Sequence, residues 1–223
     1  RPCGVGADGV FYSLNPQVHA VDNDSLIETL PTQAETVRSA QALYPGLAVA
    51  VTPVTLRPRR SAEADPRQAS LFAAGWALGS VATLAAAGVA SVTYFETNGA
   101  RGVMGGGELY PVYHLLSWLA GWRGAMLCPV AVSDPARPGP VRLQALALRR
   151  GNTQRLILAN VCGKPMTVAL SGLGEGAMVQ TLDERNDAAA RCGELGPAQP
   201  LAGGTLTLPP FGLACVDAMT ALE

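Results

Sequence analysis

The order of apolar and polar positions changes character near residue 125. Before that point, the apolar runs at 10–14 and 47–54 and a mixed run at 91–96 are typical of strands, and helically spaced stretches separate them. The run at 47–54 has the unbroken apolar character of strands that are buried on both faces of a parallel sheet. Residues 9–122 therefore predict a βαβαβα order and a parallel sheet with its strands side by side in chain order.

Three helices are predicted between and after these strands. Asp24-Ser25 supplies a cap for the first, which ends before Pro45-Gly46. Asp65-Pro66 forms an N-cap and first helical position for an Ala-rich second helix, and Gly88 is a stop signal at its end. A third helix is predicted at 108–120. The helically spaced apolar positions of the first helix are Leu26, Leu30, Val37 and Leu43.

Residues 69–92 carry almost no charge and contain the pattern Gly75-x-x-x-Gly79. A membrane-spanning helix is therefore an alternative, since about 20 apolar residues suffice to cross a bilayer. The cap at Asp65-Pro66 and the stop at Gly88 favour a helix of ordinary length joined to a strand, and its many Ala residues suit packing against a sheet. We expect no membrane partner.

From residue 125 onward, short alternating runs are separated by turn residues such as Gly151-Asn152 and Gly203-Gly204. This texture predicts an antiparallel β-sandwich. Residues 187–200 are polar and rich in Ala and Gly, which predicts an irregular loop. The change of pattern near residue 125 predicts two domains, 1–124 and 125–223. The predicted strands of the second domain are 141–148, 155–160, 166–170, 178–182, 205–208 and 212–216.

The charge balance argues against nucleic acid as a partner. The 223 residues hold 16 Lys or Arg and 17 Asp or Glu, for a formal net charge of -1, and the longest basic stretch is 57–60. A nucleic-acid-binding surface needs a larger basic patch. With 48% hydrophobic residues the chain can form real cores. A small molecule is the expected ligand, and the oligomeric state stays open.

The five cysteines are scattered and form no C-x-x-C pair. This favours buried thiols in a reducing compartment over a disulfide framework or a zinc site, so we predict a cytoplasmic location. The chain begins at Arg1 rather than Met, within a Gly-rich segment. We therefore expect a piece of a longer protein, and both an upstream signal peptide and the activity of this piece alone stay open.

Three titratable residues near the strand ends are candidate catalytic groups. Glu96 closes the third predicted strand, where a carboxylate is placed to act as a base or acid, unless it only pairs with Arg101 or Arg57. His19 and Asp22 follow the first strand, where an Asp can orient a His for proton transfer. The alternatives are a loop histidine bonded to backbone and an Asp22 that caps the next helix. His114, on an apolar helix, is expected to be packed in the core.

Arg57 ends the second predicted strand, where a guanidinium can bind a carboxylate or an oxyanion. The alternative is a solvated basic loop. Because parallel strands end at one edge, we expect these groups to surround one cavity. A metal site from His19, Asp22 and Glu96 is disfavoured, since no close ligand spacing occurs, and no cofactor is expected. The residues predicted to bind substrate are Asn15, Arg57, Tyr94, Asn98 and Arg101.

Four strings in the first half resemble the D-apionate lactonase family: LNPQVHAVDN (14–23), VTPVTLRPR (51–59), DPRQ (65–68) and TYFET (93–97). The resemblance covers about 9–119. It implies an α/β plus all-β fold, with the last three β/α units of a (β/α)8 TIM barrel followed by a β-sandwich. It also implies a hydrolase that opens a sugar-acid lactone, with a sugar lactone or carbohydrate as ligand.

Retaining glycosidases of this architecture carry a nucleophilic carboxylate at the end of the seventh strand, about 5 Å from a second acid. If the three strands are the sixth to the eighth, that position falls near 52–55, where no Asp or Glu occurs. Lactone opening needs only a base for water and a cation for the oxyanion. The alternatives are a glycoside hydrolase with part of its catalytic pair upstream and a noncatalytic carbohydrate-binding protein.

Overall fold

The computed structural model describes residues 6–133 and 142–220. Its first half contains three parallel strands, β1 (Gly9–Leu14), β2 (Ala48–Val54) and β3 (Ser91–Tyr94), which lie side by side in that order. The predicted parallel sheet and its strand order are therefore confirmed. The third strand ends two residues earlier than predicted.

The two faces of this sheet differ. Val49, Val51 and Val54 are buried and belong to the core that the helices cover. On alternate positions of the edge strand β1 the side chains face the other way, and Phe11 is 76% exposed. Parallel sheets are normally covered on both faces. This sheet differs, because helices cover one of its faces and the other is open.

The first predicted helix is two helices, α1 (Asn23–Glu28) and α2 (Leu30–Leu43). The break follows from Pro31, which lacks an N–H donor and whose ring clashes with the carbonyl four residues earlier. Asp22 caps α1 instead of the predicted Asp24. The expected core positions Leu26, Leu30 and Val37 are buried, whereas Leu43 in the last turn is exposed.

The Ala-rich segment also differs in its start. Asp65 caps a 3-10 turn, Pro66–Ala69, and Ser70 then caps helix α3 (Leu71–Ala86). The residues from Phe72 to Ser80 are all buried, because α3 packs against α2 and against strands of the second domain. That position explains an apolar run with no polar face. Among the described residues, no helix has the length and apolarity needed to cross a bilayer.

The Gly75-x-x-x-Gly79 pattern serves close packing between the two domains. A Cβ atom at Gly75 would lie 2.9 Å from Val161 Cγ1, and one at Gly79 would lie 2.6 Å from both Leu30 Cδ1 and Gln144 Oε1. Both distances are too short for a side chain unless the neighbouring side chains shift, so the two glycines allow α3 to pack closely against them.

A small three-stranded sheet follows β3. It consists of β4 (Glu96–Asn98), β5 (Gly102–Gly105) and β6 (Glu108–Leu109). Helix α4 (Pro111–Ala120) comes next and is shorter than the predicted 108–120, since its first residues form β6. Tyr110 precedes Pro111, a residue favoured at the first position of a helix.

The second domain consists of two antiparallel sheets around a separate apolar core. One sheet has six strands in the order β12-β11-β14-β9-β8-β7, and the other pairs β10 with β13. Val141, where the predicted strand 141–148 begins, lies outside the described residues. The strands are β7 (Met126–Cys128), β8 (Leu143–Arg150), β9 (Thr153–Asn160), β10 (Met166–Ala169), β11 (Met178–Leu182), β12 (Gln199–Pro200), β13 (Thr205–Leu208) and β14 (Leu213–Met219).

The predicted irregular loop at 187–200 is partly ordered into regular structure. It contains a short helix, α5 (Asp187–Arg191), and the strand β12. Helix α5 packs against α4 and β6 of the first domain. An isolated helix of five residues is unstable in water, so its contacts with the first domain, and not its own sequence, hold it in place.

Candidate active site

The carboxyl ends of β1, β2 and β3 lie at one edge of the parallel sheet, as parallel pairing requires. A cavity of about 130 Å³ lies at this edge, where the segments after β2 and β3 meet the Pro66–Ala69 turn. Its apolar walls are Pro53, Leu56 and Phe95. Its polar lining consists of Thr55, Arg57, Asp65, Gln68, Glu96 and Arg101.

The backbone at Phe95 turns the chain from the parallel sheet into the small sheet. Phe95 has φ of 57°, a left-handed conformation that is unfavourable for a bulky residue. Its N–H still donates to Val54 O (3.3 Å), but the next N–H, of Glu96, donates to Arg101 O (3.2 Å). Strained residues of this kind concentrate at functional sites. The turn places the Phe95 side chain and Glu96 on the same cavity.

Glu96 is paired with Arg101 across a short loop. The distance from Arg101 Nη2 to Glu96 Oε1 is 2.7 Å, and the Glu96 side chain is 51% exposed. Asn98 lies two residues further along β4, on the same face as Glu96, and is exposed. The carboxylate thus has one cation beside it and open solvent on its remaining side.

Arg57 approaches the cavity from the segment after β2. Its Nη1 donates to Ser61 O (2.5 Å), which fixes one end of the guanidinium. Arg57 is half-buried and lines the cavity together with Glu96 and Arg101. Two guanidinium groups therefore lie beside the Glu96 carboxylate in this space, with an aromatic ring as an apolar wall.

Asp65 forms the opposite wall and is held by several bonds. It accepts from Arg67 N (2.8 Å), Arg67 Nε (2.8 Å) and Arg67 Nη2 (2.7 Å), and also from Gln17 Nε2. Gln17 Nε2 donates to Leu56 O as well, so the segments after β1 and β2 are joined. Burial alone raises the pKa of Asp65, but these hydrogen bonds and the Arg67 charge outweigh it and lower the pKa.

Gln68 connects the turn to the small sheet. Its side chain is buried, and its Nε2 donates to Gly102 O (2.9 Å) of β5. Asp65, Gln68 and Phe95 were not among the predicted site residues. The DPRQ string at 65–68 was a usable signal, since a capping Asp before Pro puts a carboxylate and an amide on one short turn.

His19 and Asn15 lie in a different cavity from Glu96. The exposed His19 lines a cavity of about 360 Å³ with Asn15, between the segment after β1 and helices α1 and α2. Asn15 Nδ2 donates to Thr55 Oγ1 (3.4 Å) and is the link between the two cavities. Asn15 also lines a larger cavity, of about 1080 Å³, together with Thr55 and Arg57. That all these groups surround one cavity stays a prediction.

Asp22 and Tyr94 are engaged elsewhere. Asp22 accepts from Ser25 N (2.8 Å) and Ser25 Oγ (2.7 Å), and these bonds lower its pKa. Tyr94 lies on the helix side of the sheet, where its hydroxyl donates to the buried Ser80 Oγ (2.8 Å). Burial raises the pKa of Tyr94 despite this bond. Both side chains have structural partners away from the cavity, so neither belongs to the site proposed below.

His114 is buried, as expected, and its Nε2 lies 2.9 Å from Ala190 O. Within residues 6–133 and 142–220, no cluster of three or more His, Cys, Asp or Glu side chains is arranged to hold a metal ion. The chemistry that the cavity offers is that of a carboxylate base beside guanidinium groups.

Comparison with family models gives two matches that together span most of the chain. Residues 1–124 match the model described as D-apionate lactonase, TIM barrel domain. Residues 140–216 match the model described as D-apionate lactonase, C-terminal immunoglobulin-like domain. A comparison with curated proteins finds no match.

Solved structures with a similar fold include enzymes that cleave glycosides. The 4-O-alpha-L-rhamnosyl-beta-D-glucuronidase of Fusarium oxysporum 12S is 16% identical with a TM-score of 0.65, over 93% of this chain and 52% of that one. CelM2, a bifunctional glucanase-xylanase from a metagenome library, is 13% identical with a TM-score of 0.60, over 95% and 44%. The alpha-L-arabinofuranosidase of Thermotoga maritima is 14% identical with a TM-score of 0.58, over 94% and 52%.

At these identities the structures show a shared fold: a TIM-barrel-like domain followed by a β-sheet domain. The chain spans about half the length of each solved structure.

Proposed function

This chain belongs to the D-apionate lactonase family, and we propose that the protein is a hydrolase that opens the ring of a sugar-acid lactone. The observation that carries the proposal is the cavity at the strand ends, where Glu96, Arg57 and Arg101 meet beside Phe95. A five- or six-membered sugar lactone is small and carries hydroxyl groups beside an apolar ring face, which suits a cavity of about 130 Å³ with polar side chains and one aromatic wall.

The proposed reaction uses Glu96 as the general base. Glu96 takes a proton from a water molecule as the water oxygen bonds to the lactone carbonyl carbon. The carbonyl oxygen becomes an oxyanion, and Arg57 stabilises it with hydrogen bonds from its guanidinium. The oxyanion then collapses, the ring C–O ester bond breaks, and the leaving oxygen receives the proton from Glu96. The product is an open-chain hydroxy acid, and its new carboxyl group releases its proton to solvent to become the carboxylate.

Two guanidinium groups suit this change of charge. The lactone is neutral, whereas the oxyanion and the product carboxylate are negative, so a cationic site binds the transition state more tightly than the substrate. Arg101 has a second function in the proposal, since its contact with Glu96 fixes the carboxylate orientation. Asn98, on the same face of β4, is proposed to bind a sugar hydroxyl.

We further propose that 1–124 forms the last three β/α units of a (β/α)8 barrel and that 125–223 forms the sandwich domain. The open face of the parallel sheet, with Phe11 exposed on it, supports further barrel units in the full-length protein. The four described cysteines are unpaired, which supports a cytoplasmic location, and Cys3 lies outside the described residues.

A glycoside hydrolase is the second candidate, because three proteins with a similar fold are a glucanase-xylanase, an arabinofuranosidase and a glucuronidase. A retaining mechanism needs two carboxyl groups about 5 Å apart. The C-terminal end of β2 has no Asp or Glu at 52–55. The second carboxylate in the cavity, Asp65, is occupied by Arg67 and Gln17. A noncatalytic carbohydrate-binding protein is the third candidate.

One substrate panel separates the three candidates. The full-length protein is incubated with the lactone of D-apionate, other aldonic-acid lactones and aryl glycosides, and proton release and chromophore release are recorded. The proposal expects saturable ring opening of at least one lactone, with one proton per turnover and no glycoside cleavage. Glycoside cleavage without lactone opening would establish the second candidate, and ligand binding without turnover the third.

A further inference from the structure

One side chain of the second domain contacts two segments of the first domain that adjoin the cavity. Arg191, the last residue of α5, donates from Nη2 to Ala69 O in the first domain. Its Nη1 lies 3.4 Å from Glu108 Oε2, also in the first domain, and its Nε donates to Asp187 Oδ2 (2.8 Å) of its own helix. The guanidinium thus joins α5 to two separate segments of the first domain.

These two segments carry the cavity lining. Ala69 ends the turn that contains Asp65 and Gln68. Glu108 lies in β6, which pairs with β5, and β5 pairs with the strand that carries Glu96. Arg191 therefore holds the residue next to Gln68 with one nitrogen and the outer strand of the small sheet that carries Glu96 with another.

The position of Arg191 is itself fixed. Ala190 is buried, and its carbonyl lies 2.9 Å from His114 Nε2 on α4, so the ring nitrogen donates to it. Arg191 is only 22% exposed. Burial alone lowers the pKa of Arg191, but Asp187 and Glu108 outweigh it and raise the pKa. The planar, permanently charged guanidinium group holds several hydrogen-bond acceptors in a fixed geometry.

We propose that Arg191 is a positioning residue of the active site, which sets the distance between the Pro66–Ala69 turn and the small sheet. Through it the sandwich domain determines how Glu96 faces Arg57. The kinetic part of this inference rests on the proposed lactonase function. Because misplacement by about 1 Å costs roughly a hundredfold in rate, a residue that touches no substrate can control turnover in this way.

The chain offers a matched control. Arg142 also joins the two domains: its Nη1 lies 2.7 Å from Asp24 Oδ1 and its Nη2 lies 3.5 Å from Glu28 Oε1, both on α1. Its side chain is 24% exposed, close to the value for Arg191. Arg142→Met therefore removes an interdomain ion pair of the same kind without touching either wall of the cavity.

The kinetic experiment compares kcat and KM for lactone opening in the full-length protein. We expect Arg191→Met to lower kcat about 10- to 100-fold while KM changes less, and Arg142→Met to leave both nearly unchanged. Arg191→Lys keeps the charge but not the planar guanidinium donors, so it should recover only part of kcat. Adding Glu108→Gln to Arg191→Met should cost less than Glu108→Gln alone, since the two residues act through one contact.

A second measurement does not depend on catalysis. Hydrogen exchange of backbone amides at 67–70 and 102–105 should speed up in Arg191→Met and stay unchanged in Arg142→Met. If the wild-type protein opens no lactone, the proposed function fails, and the exchange data still decide the positioning inference. Equal exchange in the two variants, or an equal effect of both on kcat, would overturn it and leave Arg191 as an interdomain tie only.

Discussion

The two walls of the cavity each carry a carboxylate, and the two carboxylates are held in opposite ways. The Asp65 side chain is 4% exposed and accepts from Gln17 and from three nitrogen atoms of Arg67. The Glu96 side chain is half exposed and has Arg101 as its ion-pair partner. A carboxylate whose lone pairs are all occupied stabilises a loop, whereas one with an open side can take a proton from water. This difference is the reason why the proposal gives Asp65 a structural role and Glu96 the role of the base.

The largest expected effect is on catalysis at Glu96. Glu96→Gln keeps the volume and most hydrogen bonding but removes the base, so kcat for lactone opening should fall by about two to four orders of magnitude. The melting temperature should hardly change, because the side chain is exposed. Normal turnover in the folded variant would show that Glu96 is not the base and would move attention to His19.

Asp65 should show the opposite profile, with a large loss of stability. Asp65→Ala leaves Arg67 and Gln17 without their partner in a buried position, and the free energy of unfolding should fall by about 3 kcal/mol. Chemical denaturation measures this directly. An unchanged unfolding free energy would contradict the structural role given to Asp65, whatever its effect on turnover.

Arg57 tests whether the cation on the Glu96 side binds the substrate or the transition state. Removing a charged hydrogen-bond donor costs about 1.5–3 kcal/mol, so Arg57→Ala should reduce kcat/KM by roughly ten- to a hundredfold. A lower kcat at constant KM would assign Arg57 to the oxyanion, and a higher KM alone would assign it to the ground state. A variant with wild-type kcat/KM would exclude both.

The smallest expected effect is on stability in acid. The pKa of Asp65 in the folded protein is below its ordinary value of 3.8, so its contribution is fully present above that value and is lost as the pH falls through the lowered pKa. Unfolding free energy should therefore decline with falling pH in this range, and the slope should be shallower in Asp65→Asn, by up to roughly 1.4 kcal/mol per pH unit. Glu96→Gln serves as the comparison. Identical slopes in wild type and Asp65→Asn would refute the assignment.

The parallel sheet could be predicted because its signal is local. Unbroken apolar runs such as the one that became β2 need no distant partner to be recognised, and the capping residues Asp65 and Gly88 lie beside the elements they limit. The small sheet could not be found in this way. Its strands have two to four residues, too few for alternation to stand out, and the left-handed Phe95 that begins it has no signature of its own in the sequence.

The candidate site was predicted in part for a similar reason. The order of the strands predicts which residues lie at the carboxyl-end edge of the parallel sheet. Arg57, Glu96 and Arg101 do share a cavity there. The order of the strands does not tell where a side chain points. Tyr94 faces the helices because its side chain lies on the helix-covered side of β3. Asp65 contacts Gln17 although the two residues are 48 positions apart in the chain.

Phe95 also bears on how such a site can change in evolution. Because the left-handed turn at this residue ends the pairing with β2, the register of the small sheet is not set by the register of the barrel. Insertions or substitutions within 96–109 can therefore shift the reactive carboxylate without propagating into the parallel strands. Changes in this segment are therefore limited by its contacts with Gln68 and Arg191 and not by the register of the parallel sheet.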